Sequence, residues 1–128
     1  MIVVTLNNYF QRGILTNVKK TTFVGQKRLT VMKIVFLEPL GLPIEKIEKE
    51  CDNLKKQGHD VVIYKDRCPE KNIERAADAD IVIESNMPLR KDFFDACPNL
   101  KMLSIAFTGL DHIDLKECER RGIIVNNA

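Results

Sequence analysis

The 128-residue sequence lacks most of the features that announce a function directly. Its four cysteines, Cys51, Cys68, Cys97 and Cys118, form no Cys-x-x-Cys pair and no Cys/His cluster, so a structural zinc site has no support. Each falls in or beside a stretch of helical spacing in a cytosolic-looking pattern. That argues against a disulfide framework and for small buried or half-buried thiols. No apolar run approaches the roughly 18 residues needed to cross a bilayer. A net charge of +2 favours neither nucleic acid nor membrane as a partner. Gly-x-Gly-x-x-Gly occurs nowhere, so these residues hold no pyrophosphate cradle for a dinucleotide.

What is present suits an ordinary globule: 45% hydrophobic and 30% charged residues, in a chain long enough for one domain with a real core. The charge is unevenly spread. Residues 1–31 hold five Lys or Arg and no acid, leaving fifteen basic and eighteen acidic residues in the remaining 97. That first segment has apolar patches (Ile2-Val3-Val4, Phe23-Val24) and basic pairs (Lys19-Lys20, Lys27-Arg28) but no helical or alternating period. Its composition fits a transit peptide, yet arginines are few and no amphipathic stripe is seen. The segment reads as an N-terminal extension outside the fold, a disordered tail being the plain expectation, with the domain spanning residues 32–128.

From Met32 short apolar runs alternate with helical spacing. Ile34-Val35-Phe36-Leu37, Val61-Val62-Ile63-Tyr64, Ile81-Val82-Ile83, Met102 to Phe107 and Ile123-Ile124-Val125 read as buried parallel strands. Between the first two, Ile44, Ile47, Cys51 and Leu54 form one apolar stripe, closed by Gly58. Pro69 opens a short helix with Ile73, Ala76 and Ala77 inward, and Leu89, Phe93 and Cys97 mark the next. Asp114 caps a further helix with Glu117 in capping-box position, and Gly122 ends it. Five strands alternating with helices imply right-handed crossovers and a flavodoxin-like α/β fold, an open parallel sheet with helices on both faces.

Three stretches carry a resemblance that covers Met32 to Ala128. They are Pro98-Asn99-Leu100-Lys101, Thr108-Gly109-Leu110-Asp111-His112-Ile113-Asp114 and Arg121-Gly122-Ile123-Ile124-Val125-Asn126-Asn127-Ala128. The loop Ser85-Asn86-Met87-Pro88-Leu89 adds a weaker match. Together they resemble the N-terminal, substrate-side half of the NAD-dependent D-2-hydroxyacid dehydrogenases. The resemblance implies an incomplete substrate-side domain, truncated before the cofactor domain. It implies a full-length oxidoreductase that exchanges hydride between NAD(H) and a small 2-hydroxy or 2-oxo acid. Such enzymes are usually cytoplasmic homodimers.

In an open parallel sheet, ligands collect at the carboxyl ends of the strands, where the winding reverses. The loops Glu38 to Leu42, Glu84 to Pro88 and Thr108 to Asp111 end strands there, joined by Asn126 and Asn127. Open amides and neutral donors of this kind suit a small carboxylate. By the resemblance, the substrate-binding residues are Ser85, Asn86 and Met87, giving main-chain amides to the substrate carboxylate, with Thr108 and Gly109 lining the cleft and Asn127 beside the substrate. Glu84 departs from the family: members acting on phosphorylated acids often carry arginine there, so a phosphorylated substrate is disfavoured.

Plainer assignments stand beside these. Ser85 and Asn86 can simply start a helix, and Gly109 can serve only a positive φ. Asp111 and Asp114 suit turns and caps, His112 suits a structural or exposed role, and His59, just past Gly58, reads as a surface residue. No catalytic, cofactor-binding or metal-binding residue is assigned. By the resemblance, the catalytic arginine, glutamate and histidine belong to segments that these residues do not include, so the chain is expected to be inactive alone. The alternative is a stand-alone small-molecule-binding regulatory module without catalysis. A phosphoacceptor receiver fold is set aside, because Glu38-Pro39, Glu84 and Asn126-Asn127 stand where its acidic pair, Asp and Lys would fall.

Overall fold

Each of the five apolar runs from Met32 onward gives a strand of four residues. The computed structural model describes residues 21–24 and 27–127. Strands β1 (Thr21–Val24) and β2 (Lys27–Thr30) pair antiparallel as a sheet of their own. The second sheet is built from β3 (Lys33–Phe36), β4 (Asp60–Ile63), β5 (Ile81–Glu84), β6 (Met102–Ile105) and β7 (Ile124–Asn127). All its pairs are parallel, in the order β4-β3-β5-β6-β7. This is the expected flavodoxin-like winding: the chain starts inside the sheet, steps one way to β4, then reverses to β5 and continues outward. The expectation of an extension outside the fold concerned residues 1–31, of which 1–20 and 25–26 lie outside the described residues; β1 and β2 were not anticipated there.

The register aligns the carboxyl ends. Phe36 faces Ile63 and Ile83, Ile83 faces Ser104, and Ser104 faces Asn126. Residues just beyond these, Glu38, Glu84 to Met87 and Asn127, therefore share one edge, and the winding reverses between β3 and β5.

Side chains alternate between the two faces. One face carries Ile34, Phe36, Ile81, Ile83 and Met102 against α1 (Ile44–Lys56), whose Ile47, Cys51 and Leu54 are buried at the expected spacing. The other carries Val35, Leu37, Val82, Leu103 and Ile105 against α2 (Asn72–Ala76), α3 (Lys91–Ala96) and α4 (Leu115–Arg121). Each fully buried side chain of this size stabilises the fold by about 1.5–3 kcal/mol.

Local chemistry sets the boundaries. The Asp114 side chain accepts the Glu117 amide at 3.3 Å, and Gly122 ends α4 at φ 69°. Only half of the capping box forms. The Glu117 carboxylate turns to Arg120 and Arg121 instead, while the Asp114 amide donates to the Leu89 carbonyl. The four cysteines are free thiols, and burial pushes Cys51, Cys97 and Cys118 up to about 11, which leaves them as inert packing groups.

Two expectations fail. In α2, Ile73 and Ala77 are exposed, and Asn72, Arg75 and Ala76 face inward. The Arg75 guanidinium lies 4.3 Å from the centre of the Tyr64 ring and pairs with Asp66 at 2.7 Å. On so short a helix, those partners outweigh the burial of one isoleucine. His59 is not a surface residue either. It is buried, and its Nδ1 accepts the Met32 amide at 3.1 Å, extending the strand pairing below β3 and β4. Desolvation lowers its pKa, so it is held neutral.

Candidate functional site

At the reversal point, β3 runs out into Glu38 and β5 into Glu84. Both side chains are buried, although both are carboxyl groups. A buried carboxylate needs several strong donors, and Glu38 has them. Its Oε1 accepts the Ser85 amide at 2.7 Å and the Ser85 hydroxyl at 2.5 Å. Arg67, from the loop after β4, donates Nη1 to Oε2 at 3.1 Å and to Oε1 at 3.3 Å. The same nitrogen reaches Asn86 Oδ1 at 2.6 Å.

Glu84 sits differently. Its Oε2 accepts the Met87 amide at 2.6 Å. Its Oε1 lies 3.2 Å from His112 Nε2, close in distance but without hydrogen-bond alignment, so neither atom has a directed partner among the described residues. Burial pushes the Glu84 carboxyl up to about 8; the Met87 amide works against this, and the nearby Glu38 carboxylate adds to it. Two carboxyl groups side by side do not both ionise readily, and here Glu84 is the one that keeps its proton.

The second loop, from Thr108 to Ile113, is stitched to the first. Leu89 donates to the His112 carbonyl at 2.9 Å, Asp114 donates to the Leu89 carbonyl at 3.0 Å, and Leu89 and Ile113 form a parallel bridge. Arg90 Nη2 reaches the Asp111 carbonyl at 3.2 Å. The end of β7 joins through Asn127 Nδ2, which donates to the Thr108 carbonyl at 2.8 Å. The His112 ring meets exposed Phe107 edge-on, with centres 6.0 Å apart.

All six residues nominated from the sequence therefore lie on this edge, but with unequal chemistry. The Ser85 and Met87 amides are already spent on Glu38 and Glu84. Met87 contributes no side chain to the edge, because its thioether is buried and accepts from Asn72 Nδ2 at 3.5 Å. Asn86 is exposed, and neither its amide nor its Nδ2 has a partner among the described residues. Gly109 does not have the positive φ suggested for it. A Cβ there would meet only the Phe107 ring, at 3.6 Å. The left-handed residues near the edge are Leu40 (φ 59°) and Gly41 (φ 72°), at the centre of a turn closed by the Leu42 amide on the Pro39 carbonyl. Ile113 packs inward, whereas Asp111 is exposed in its turn.

Glu38 and Arg67 were not singled out from the sequence. Glu38 could have been, since an acid directly after an apolar strand run is placed at the ligand edge. Arg67 stands in a charged loop with no pattern to mark it. The sequence suits His112 to a structural or exposed role, and its imidazole lies beside the buried Glu84, Nε2 being 3.2 Å from Oε1.

Two interlocked polar loops at the strand reversal of a five-stranded parallel sheet define an α/β domain with a polar carboxyl edge. Residues 34–128 match the catalytic domain of the D-isomer specific 2-hydroxyacid dehydrogenases, and the chain belongs to that family. It is 37% identical over 78 residues to a glycerate dehydrogenase of Hyphomicrobium methylovorum, covering 57% of this chain and 24% of that protein. It is 30% identical over 98 residues to a D-3-phosphoglycerate dehydrogenase of Archaeoglobus fulgidus, covering 76% and 18%. The NAD+-bound 3-phosphoglycerate dehydrogenase of Entamoeba histolytica superposes with a TM-score of 0.66 at 31% identity, over 76% of this chain and 32% of that one. The chain spans about a third or less of the length of the relatives it matches.

Among the described residues, the turn after β3 does not fit the pyrophosphate of a dinucleotide. The turn after β3 carries Glu38-Pro39-Leu40-Gly41, with a buried carboxylate where a pyrophosphate would need amides and no negative charge. Among the described residues no group of three or more acidic, histidine or cysteine side chains could hold a metal ion, and no helix is long and apolar enough to cross a membrane.

Proposed function

We propose that residues 32–128 supply the substrate-side wall of a 2-hydroxyacid dehydrogenase cleft, and that this wall binds the carboxylate of a small, unphosphorylated 2-oxo or 2-hydroxy acid. The observation that carries the reading is the docking of the 85–90 loop on the 108–114 loop at the strand reversal, with Asn86 offering two open donors. Thr108, Gly109 and Asn127 line the same edge. Residues 1–31 precede this domain.

Hydride transfer needs a nicotinamide held against the substrate carbon and an acid/base within hydrogen-bond reach. The nicotinamide and its proton donor come, in this reading, from the cofactor domain of the longer protein. In this reading the chain binds substrate without turning it over, and the assembled enzyme is a cytoplasmic homodimer. The preference for an unphosphorylated acid rests on Glu84, which stands where family members acting on phosphorylated acids often carry arginine: a buried, protonated glutamate supplies no cation to pair a phosphate.

Calorimetric titration of the purified protein with pyruvate, glyoxylate and 3-phosphoglycerate tests this. The expected result is saturable binding of the first two acids and none of the third. Absence of binding by all three, or preference for the phosphorylated acid, would overturn it.

A further inference from the structure

The six-residue edge leaves open what holds the loop in a shape that can receive an anion. Ser85 gives both its donors to one oxygen of Glu38, a side chain from the turn after β3, 47 positions earlier in the sequence. Arg67 comes from a third element and contacts both Glu38 oxygens and the Asn86 side chain through one nitrogen. Arginine can only donate, so its contact fixes the Asn86 amide group with Oδ1 toward the guanidinium and Nδ2 away from it. Charge-assisted hydrogen bonds of this kind are short and directional, which suits them to setting geometry. The Arg67 cation also balances the Glu38 carboxylate, so a second anion can approach Asn86 without meeting a bare negative charge.

We propose that Glu38 is the positioning residue of this cleft: with Arg67 it clamps the 85–87 loop so that Asn86 presents its backbone amide and its Nδ2 together to the substrate carboxylate. The inference rests on the proposed function and names the group that makes the contact. Glu38 itself touches no substrate. It acts through Ser85 and Asn86, and the Ser85 amide serves the clamp rather than the ligand.

The test compares the wild-type protein with Glu38→Gln, Glu38→Ala and Asn86→Asp, using pyruvate as the probe. Two quantities are measured: the dissociation constant for pyruvate, and hydrogen exchange at the Ser85 amide. Gln keeps an acceptor for Ser85, so Glu38→Gln is expected to stay within about threefold of wild type with Ser85 protected. Glu38→Ala is expected to weaken pyruvate binding by about tenfold and to speed Ser85 exchange by a similar factor. Asn86→Asp, at an exposed position that does not threaten folding, replaces a donor by a charge and is expected to abolish binding. A merely structural glutamate would lower thermal stability without separating Gln from Ala in pyruvate affinity.

Glu38→Ala that binds pyruvate as wild type does, or Glu38→Gln no better than Glu38→Ala, overturns the proposal. So does Asn86→Asp with unchanged affinity, which also covers the case in which the alanine variant does not fold. If Ser85 protection follows Glu38 as expected but wild-type protein binds no pyruvate, the clamp stands and the carboxylate reading of the cleft falls.

Discussion

Replacing Glu84 by glutamine should remove a pH dependence of stability that the wild-type protein carries across the neutral range. Glu84 is fully buried, and burial holds its carboxyl up to about 8, against 4.5 for an exposed glutamate. Between those values the folded protein keeps a proton that the unfolded chain has released, so stability must fall as pH rises. The contribution is complete below about pH 4.5 and gone above about 8. The slope approaches about 1.4 kcal/mol per pH unit. In a domain of about 100 residues, 1 kcal/mol moves Tm by about 4–8 °C, so the fall is roughly 6–11 °C per unit. His59 acts with the opposite sign, because its folded pKa is lowered from 6.5. Its contribution is present above that value and is lost as pH falls below it, which leaves the window from 6.5 to 8 to Glu84. Glutamine keeps an acceptor for the Met87 amide and has nothing to ionise. Thermal unfolding followed by circular dichroism at constant ionic strength should show Tm of the wild type falling from pH 6.5 to 8, and a flat profile for Glu84→Gln. A flat wild type, or a variant that falls as steeply, would refute the reasoning.

Three further substitutions probe the frame that holds the site. Asp114→Ala removes the side-chain acceptor at the start of α4 and should cost about 1 kcal/mol in urea unfolding. Gly122→Ala places a Cβ at φ 69° and should cost about 1 kcal/mol in the same assay, although the space around it is open. Gly109→Ala should change stability by less than about 0.5 kcal/mol, because φ there is not left-handed and the added methyl meets the Phe107 ring at an ordinary 3.6 Å; loss of pyruvate binding in a stable Gly109→Ala protein would place the residue against the ligand.

The sheet was legible because buried parallel strands advertise themselves. Continuous runs such as Ile34 to Leu37 and Ile81 to Ile83, separated by a stripe at helical spacing, leave few windings open once right-handed crossovers are required. The ends of α4 were legible for a local reason, since Asp114 and Gly122 act on their own neighbours in sequence. What failed was set by partners outside the element itself. His59 is drawn inward by the Met32 amide, and α2 is turned by Tyr64 and Asp66 acting on Arg75. At the edge, Ser85, Asn86, Thr108, Gly109 and Asn127 could be placed from strand ends and family motifs. The Glu38–Arg67 clamp could not, because it joins three elements whose spacing in sequence, 29 residues from Glu38 to Arg67 and 18 from Arg67 to Ser85, carries no pattern.

The most direct test of the account is to follow the backbone and side-chain amides of the labelled protein by NMR while pyruvate is added. The account predicts saturable shifts largest at the Asn86 amide and Nδ2, with smaller ones at Gly109 and Asn127, and little movement of the Ser85 and Met87 amides already held by Glu38 and Glu84. Shifts centred elsewhere on the sheet, or none at saturating pyruvate, would contradict it.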